Sequence, residues 1–114
     1  MRRHDSVYIR HIHDEIEFLE ENFQNLTYAE LTSDKRAQHM ITKALEIIGE
    51  ASKNLSDVIK NEYTTIEWRL IAGMRDRLTH SYDDVSWKTV WDVLQNDIPA
   101  LRSGIDQILA EKGW

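Results

Sequence analysis

The sequence predicts an all-α fold, an up-and-down bundle of four to five helices that forms a single domain over residues 1–114. Three observations lead to this prediction. The chain has 4 glycines and 1 proline, too few turn-forming residues for a many-stranded sheet. Apolar residues recur at steps of three and four, which is the period of an amphipathic helix. A length of 114 residues suits one domain with one core.

The first predicted helix runs from about Asp5 to Asn22, with acidic residues and histidines on the side opposite its apolar stripe. The stripe consists of Ile9, Ile12, Ile16, Leu19 and Phe23. Beyond this helix, Thr27 and Glu30 have the spacing of a capping box, in which each side chain accepts a bond from the backbone N–H of the other residue. This spacing predicts a short turn of helix.

A second long helix is predicted to begin near Ser33 or Asp34, since either side chain can cap a helix N-terminus. Its apolar positions are Ala37, Ile41, Ala44, Leu45, Ile48, Ala51, Leu55 and Ile59. Small residues on this helix, Gly49 among them, predict close approach by a neighbouring element. A break is expected at about residues 61–65.

The third predicted helix runs from Ile66 to about Leu78. The stretch DDVSW then restarts a fourth helix. Trp87 and Trp91, four positions apart on it, are interpreted as core residues, with contact to a partner as the alternative. Pro99 is expected to kink this helix or to separate it from a final piece. The final piece carries Leu101, Ile105 and Ile108.

Charge and composition narrow the classes of function. A formal net charge of −6 argues against a surface that coats nucleic acid through many phosphate contacts, but it permits a local basic site. The chain has no cysteine, which excludes disulfides, thiol nucleophiles and thiolate metal sites. No apolar run approaches the ~18 residues of a membrane helix. The N-terminus turns acidic where a signal peptide would turn apolar, so a cytoplasmic location is expected.

The stretch GMRDRLTHSY, residues 73–82, concentrates groups that can act on a phosphodiester. Arg75 supplies a permanent planar cation for phosphate oxygens, and His80 has an ordinary pKa near ~6.5, which suits proton transfer. Because the two are five positions apart, they share a cleft only if the helix ends near His80. Asp76, at i, i+4 from His80, is then placed to hold one ring nitrogen protonated. RNA provides its own nucleophile in the 2′-hydroxyl, so these groups suffice without a metal.

Spacing alone leaves an ordinary structural interpretation open. Cations near a helix C-terminus are favoured by the helix dipole, which would account for Arg75, Arg77 and His80 without catalysis. Asp76 can equally form a surface ion pair with His80 or Arg77, and Tyr82 can be half-buried with its hydroxyl at the edge.

Longer stretches carry a resemblance to a known family. The spacing Arg75, four residues, His80, one residue, Tyr82 resembles the signature of the HepT-like toxins of the HEPN superfamily. The resemblance extends over nearly the whole chain, through ALEIIGEASKNLS, IEWRLIAGMRDRLTHSY and DDVSWKTVWDVLQNDIPAL. The chain departs from the family pattern after the arginine, where Asn is frequent and Asp76 stands here.

The resemblance implies a dimeric helical bundle that cleaves RNA without metal or cofactor, as the toxin of a type VII toxin-antitoxin system. It implies that Arg75 stabilises phosphate charge, that His80 acts as base or acid, and that Asp76 assists, in a cleft shared by both protomers. The implied partner is a minimal nucleotidyltransferase antitoxin that transfers AMP to Tyr82. A catalytically inert helical module that supports such a nucleotidyltransferase is the alternative function.

Three further sets of residues have no role assigned by the family motif. His11 and His13 lie ~200° apart on a helix, so no metal site is predicted there. The basic N-terminal cluster of Arg2, Arg3 and Arg10 is interpreted as a solvated end, with contact to RNA or an acidic partner as the alternative. Arg77 is either an RNA or partner contact or a helix-end cation.

Overall fold

The computed structural model confirms the predicted all-α bundle. The structure describes residues 3–81 and 84–114, without the side chains of residues 79–81. The helices are α1 (Asp5–Phe23), α2 (Tyr28–Ser33), α3 (Lys35–Lys53), α4 (Asp57–Glu62), α5 (Trp68–Ala72), α6 (Met74–Leu78), α7 (Trp87–Asp92) and α8 (Ile98–Lys112). A π-helical turn, Val93–Asp97, joins α7 to α8. Two short strands, β1 (Thr79–Ser81) and β2 (Asp84–Val85), form an antiparallel pair after α6.

The long helices α1, α3 and α8 supply most of the large fully buried side chains, because each of them turns an apolar stripe inward. α1 packs along α3 and also contacts α8. The fully buried side chains on the three helices include Ile9, Ile12, Ile16, Ile41, Leu45, Ile48, Ile105 and Ile108. These are positions that the sequence pattern assigns to the core. Within the described residues, no helix is both long and apolar enough to cross a bilayer.

Side-chain caps fix the starts of the helices as the sequence predicts. Thr27 and Glu30 form a complete capping box at α2, with Thr27 Oγ1 accepting from Glu30 N at 3.1 Å. Asp34 Oδ1 accepts from Ala37 N at 3.1 Å and caps α3. Each cap satisfies a backbone N–H that the first helical turn leaves without a partner.

The prediction that the second long helix continues to Ile59 is wrong, since α3 ends at Lys53 and Ile59 belongs to α4. Ser56 starts α4 by accepting from Ile59 N at 3.3 Å. The carboxylate of Asp5, at the start of α1, accepts from Ser56 N at 2.9 Å and from the Ser56 hydroxyl. Because these bonds are made by Ser56 outside helical geometry, α3 ends before this residue and α4 begins after it.

The prediction of a single third helix is also wrong, because Gly73 divides this helix into α5 and α6. The helix begins later than predicted as well, at Trp68, which donates its indole N–H to the carbonyl of Tyr63 at 3.1 Å. Gly49 on α3 lies close to the junction of α5 with α6. A Cβ built there would stand 3.2 Å from the Ile71 carbonyl oxygen, so a glycine allows the α5–α6 backbone to approach α3.

The chain from Trp87 to Lys112 stays helical through the region of Pro99, but with a change of helix type. In the π-helical turn the N–H of Ile98 bonds the carbonyl of Val93, five residues back. Pro99 is the second residue of α8, where its lack of an N–H is tolerated. The irregularity near Pro99 is therefore a widened turn immediately before α8. Trp87 and Trp91 are partly buried against the core, as predicted.

Candidate functional site

The site predicted from the sequence lies on α6 and on the strand that follows it. α6 is a single turn of helix, and Met74 and Leu78, four positions apart, are its buried side chains. Through them α6 packs against α3 and α7. Because a helix of this length has little stability of its own, its position depends on such contacts.

The polar residues of α6 face outward. Arg75, Asp76 and Arg77 are all exposed. Arg77 Nη1 donates to Asp97 Oδ2 at 2.9 Å, which joins α6 to the last residue of the π-helical turn. The sequence interpretation considered Asp76 as the partner of Arg77, and the acid that pairs with Arg77 here is Asp97.

The backbone leaves helical geometry directly after Leu78. In the antiparallel pair, Thr79 is opposite Val85 and Ser81 is opposite Asp84, with an irregularity in register between them. The N–H of Ser86 closes the base of this hairpin by donating to the carbonyl of Leu78 at 2.9 Å. His80 is consequently a residue of β1 and not of a helix.

The end of α6 at Leu78 affects the geometry expected for the residues predicted for the site. The helical i, i+4 relation between Asp76 and His80 requires a helix through residue 80, and α6 ends at Leu78. The predicted end of the third helix at about Leu78 agrees with the end of α6. The side chain of His80 and the whole of Tyr82 lie outside the described residues, so the predicted meeting of Arg75 with His80 and Tyr82 stays a prediction.

Comparison with known proteins decides the family. The family described as ribonuclease HepT-like matches residues 12–108, which include α6 and the hairpin. The chain belongs to the ribonuclease HepT-like family. The resemblance predicted from the sequence is confirmed, and with it the membership of a family of ribonucleases.

Several curated relatives support the same assignment within the HepT-like family. A protein of Thermococcus cleftensis named as a probable ribonuclease HepT is 36% identical over 108 residues, which cover 95% of this chain and 98% of that protein. A candidate RNase of Caldanaerobacter subterraneus is 34% identical over 105 residues, covering 92% of this chain and 94% of the relative. No solved structure matches the chain.

This member of the HepT-like family also carries a cluster of potential metal ligands that the sequence interpretation did not predict. His13 Nδ1 lies 3.2 Å from Asp14 Oδ1 and 3.9 Å from Glu17 Oε2, on one side of α1. The ligand atoms of the three residues lie within 4.8 Å of one another. His11 is not part of the group. Contacts of this kind are also made between surface side chains that bind no ion, so the geometry alone does not require a metal.

Asp97 is the residue near the site that sequence reasoning missed. It stands 20 positions from Arg77 along the chain, and its contact depends on the π-helical turn. No spacing rule for helices or strands relates the two positions. The one available signal was an acid shortly before Pro99, at the place where an irregularity of the helix was predicted.

Proposed function

We propose that this protein is a metal-independent endoribonuclease and the toxin of a type VII toxin-antitoxin pair. The observation that carries the proposal is the family match over residues 12–108, which spans the positions of Arg75, His80 and Tyr82. The spacing of these three residues in the sequence resembles the signature of the HepT-like toxins. The exposed position of Arg75 on a turn of helix anchored from its other side supports a role in binding an external anion.

The chemistry is an internal transfer within RNA. His80 removes the proton of a 2′-hydroxyl, whose oxygen forms a bond to the adjacent phosphorus. The bond from phosphorus to the 5′ oxygen breaks, and that oxygen takes up a proton from the protonated form of His80, leaving a 2′,3′-cyclic phosphate and a 5′-hydroxyl. Arg75 stabilises the negative charge that develops on the phosphoryl oxygens. Asp76 assists by holding one ring nitrogen of His80 protonated, which leaves the other nitrogen free to accept the proton.

The active species is a homodimer with a cleft made by both copies. The chain has a formal charge of −6, so a single protomer offers RNA a repulsive overall field. Two copies of Arg75 and His80 in one groove concentrate positive charge where the phosphate binds. This local concentration reconciles an acidic chain with an RNA substrate.

Regulation acts through Tyr82. A minimal nucleotidyltransferase antitoxin transfers AMP from ATP to the phenolic oxygen, with release of pyrophosphate. The product carries an additional negative charge and a bulky nucleotide two residues from His80. Both properties oppose binding of RNA, the charge through repulsion and the bulk through exclusion.

Cleavage of purified RNA in the presence of EDTA tests the catalytic assignment. We expect Arg75→Ala and His80→Ala each to lower the rate by at least ~100-fold, since an electrostatic stabiliser and a general acid–base group each contribute about that much. The products should end in 2′,3′-cyclic phosphate.

Matched controls are available on nearby helices. Arg69→Ala removes an exposed arginine from α5, and His39→Ala removes an exposed histidine from α3. Both should cleave at the wild-type rate. Full activity of Arg75→Ala or His80→Ala would reject the assignment, and an inactive wild type that still binds a nucleotidyltransferase would favour the inert helical module.

Mass spectrometry after co-expression with a neighbouring nucleotidyltransferase gene tests the regulation. We expect a mass increase of one AMP on the peptide that contains Tyr82, and loss of RNA cleavage by the modified protein. Tyr82→Phe should escape both effects. Tyr28→Phe, at a tyrosine that is 43% exposed on α2, should behave as wild type. AMP found on another residue would contradict the role of Tyr82.

A further inference from the structure

We propose that Asp97 is a positioning residue for RNA cleavage, and that its ion pair with Arg77 sets the orientation of α6 and so of Arg75. The inference rests on the proposed function. Arg77 Nη1 and Asp97 Oδ2 are 2.9 Å apart, and the two side chains are 33% and 36% exposed. The pair is therefore half-shielded from water at a distance typical of a charge-assisted hydrogen bond.

The geometry of a single helical turn gives this pair control over rotation. With about 3.6 residues per turn, Met74 and Leu78 form a buried stripe, and Arg75 and Arg77 lie ~80° to either side of it. The stripe packs α6 against α3 and α7. Contacts along one side of a single turn restrain its depth more directly than its rotation about its own axis. An anchor on the Arg77 side opposes that rotation. Any rotation about the stripe would move the guanidinium of Arg75 on the opposite side.

Asp97 lies at the edge of a groove on the side of α8. This groove of about 510 Å³ separates α5 from α8, and Leu70, Asp97 and Gly104 are among the residues that line it. Leu70 is 46% exposed in consequence. The ion pair of Asp97 with Arg77 links α6 to the helix that continues into α8.

The π-helical turn explains why Asp97 is in reach. Its bonds span five residues, so the turn is wider than an α-helical turn and changes the direction of the side chains that follow. Asp97 is the last residue of this turn. Isolated π-helical turns occur often at functional sites, and here the turn places a carboxylate against the helix that carries the motif arginine.

A direct role of Arg77 in binding RNA makes the opposite prediction for one variant. If Asp97 merely held an RNA-binding arginine, Asp97→Asn would release Arg77 toward phosphate, tighten binding and steepen the dependence of affinity on salt. If Asp97 positions α6, the same variant lowers the cleavage rate and leaves RNA affinity nearly unchanged. Measurement of kcat and KM for this variant therefore distinguishes the two roles.

The test compares Arg77→Gln, Asp97→Asn and the double variant Arg77→Asp/Asp97→Arg with the wild type. We expect each single variant to lower kcat roughly 10- to 100-fold with KM within about twofold, because small displacements of a catalytic group have effects of this size. The charge-reversed double variant should recover most of kcat. Affinity for an uncleavable 2′-deoxy oligonucleotide should stay within about twofold of wild type.

Hydrogen exchange of the α6 amides gives a readout that does not require activity. Exchange of residues 74–78 should be faster in both single variants and should return toward wild type in the double variant. Glu62→Gln is the matched control, because it removes the pair between Lys112 on α8 and Glu62 on α4, at 2.7 Å and with side chains 30% and 43% exposed. This control should change neither kcat nor exchange in α6.

The outcomes distinguish the two proposals. An inactive wild type rejects the proposed function, while exchange at α6 still decides whether the pair orders this helix. Wild-type kcat and wild-type exchange in Asp97→Asn overturn the positioning role. Tighter binding of the 2′-deoxy oligonucleotide by Asp97→Asn also overturns it, in favour of direct RNA contact by Arg77.

Discussion

The bundle frame, formed by α1, α3 and α8, and the motif segment, residues 68–86, are stabilised in different ways. The frame consists of helices of 15 to 19 residues, each with a fully buried apolar stripe. The motif segment consists of two helices of 5 residues each and a short hairpin. Long helices obtain their stability from continuous burial, whereas single turns depend on anchors supplied by their neighbours. The proposed catalytic residues thus lie where position is set by contacts outside the segment.

The largest expected effect tests the frame. Leu45→Ala removes a fully buried side chain from the centre of α3 and should lower the free energy of unfolding by about 2–5 kcal/mol, through lost burial and the cavity left behind. Urea denaturation followed by circular dichroism measures the change. Val58→Ala, at a side chain that is 76% exposed, should shift it by less than about 0.5 kcal/mol. A small effect of Leu45→Ala would mean that the frame is not the source of stability.

A second variant tests the contact between the frame and the motif segment. In Gly49→Ala the new methyl group meets the Ile71 carbonyl oxygen at 3.2 Å, and a backbone atom cannot rotate away. We expect α5 and α6 to shift by a few tenths of an ångström and RNA cleavage to fall about tenfold or more. The free energy of unfolding should change by no more than about 1 kcal/mol, because alanine favours helix in α3 by a similar amount.

Gly104→Ala on α8 provides the comparison for Gly49. There the new Cβ would stand 2.6 Å from Cγ1 and Cδ1 of Ile66, a side chain that borders the groove between α5 and α8. Rotation of Ile66 into that groove can relieve the contact without moving the backbone. We expect a loss of stability with RNA cleavage retained. Equal loss of cleavage in both variants would show that the α3 contact has no special importance for the motif segment.

The same contrast explains which parts of the fold could be predicted from the sequence. The predicted end of α1 at Asn22 is one residue from the observed end, because the apolar stripe continues without interruption along the whole helix. The breaks at Ser56 and Gly73 were missed, because apolar spacing continues across them. The chain near these breaks makes long-range contacts, the Asp5–Ser56 hydrogen bonds and the close approach of α3 to α5 at Gly49, which apolar spacing does not report.

The candidate site shows the same division. The motif that identified Arg75 is local and could be recognised in the sequence. The Arg77–Asp97 pair requires a π-helical turn, and a single extra residue in a helical turn leaves no periodic signal. Likewise, the end of α6 at Leu78 depends on the hairpin bond from Ser86 to Leu78, eight residues back along the chain.

The smallest expected effect concerns a charge within the frame itself. Partial burial raises the pKa of the Glu15 carboxyl on α1, with repulsion from Asp14 adding to the rise and His11 opposing it. A raised folded-state pKa means that the native protein binds this proton more tightly than the unfolded chain. Stability is therefore lost as pH rises from the ordinary value of 4.5 through the folded-state pKa, and the penalty is complete at neutral pH.

Glu15→Gln removes this penalty, so the variant should be slightly more stable than wild type at about pH 7, by less than about 0.5 kcal/mol, and equal to it at about pH 3.5. Thermal unfolding at the two pH values measures the difference. Glu21→Gln removes the same charge from an exposed position of α1 and should show no comparable gain at neutral pH. A gain from Glu15→Gln that persists at the lower pH would exclude ionisation as its cause, because both carboxyl and amide are then uncharged.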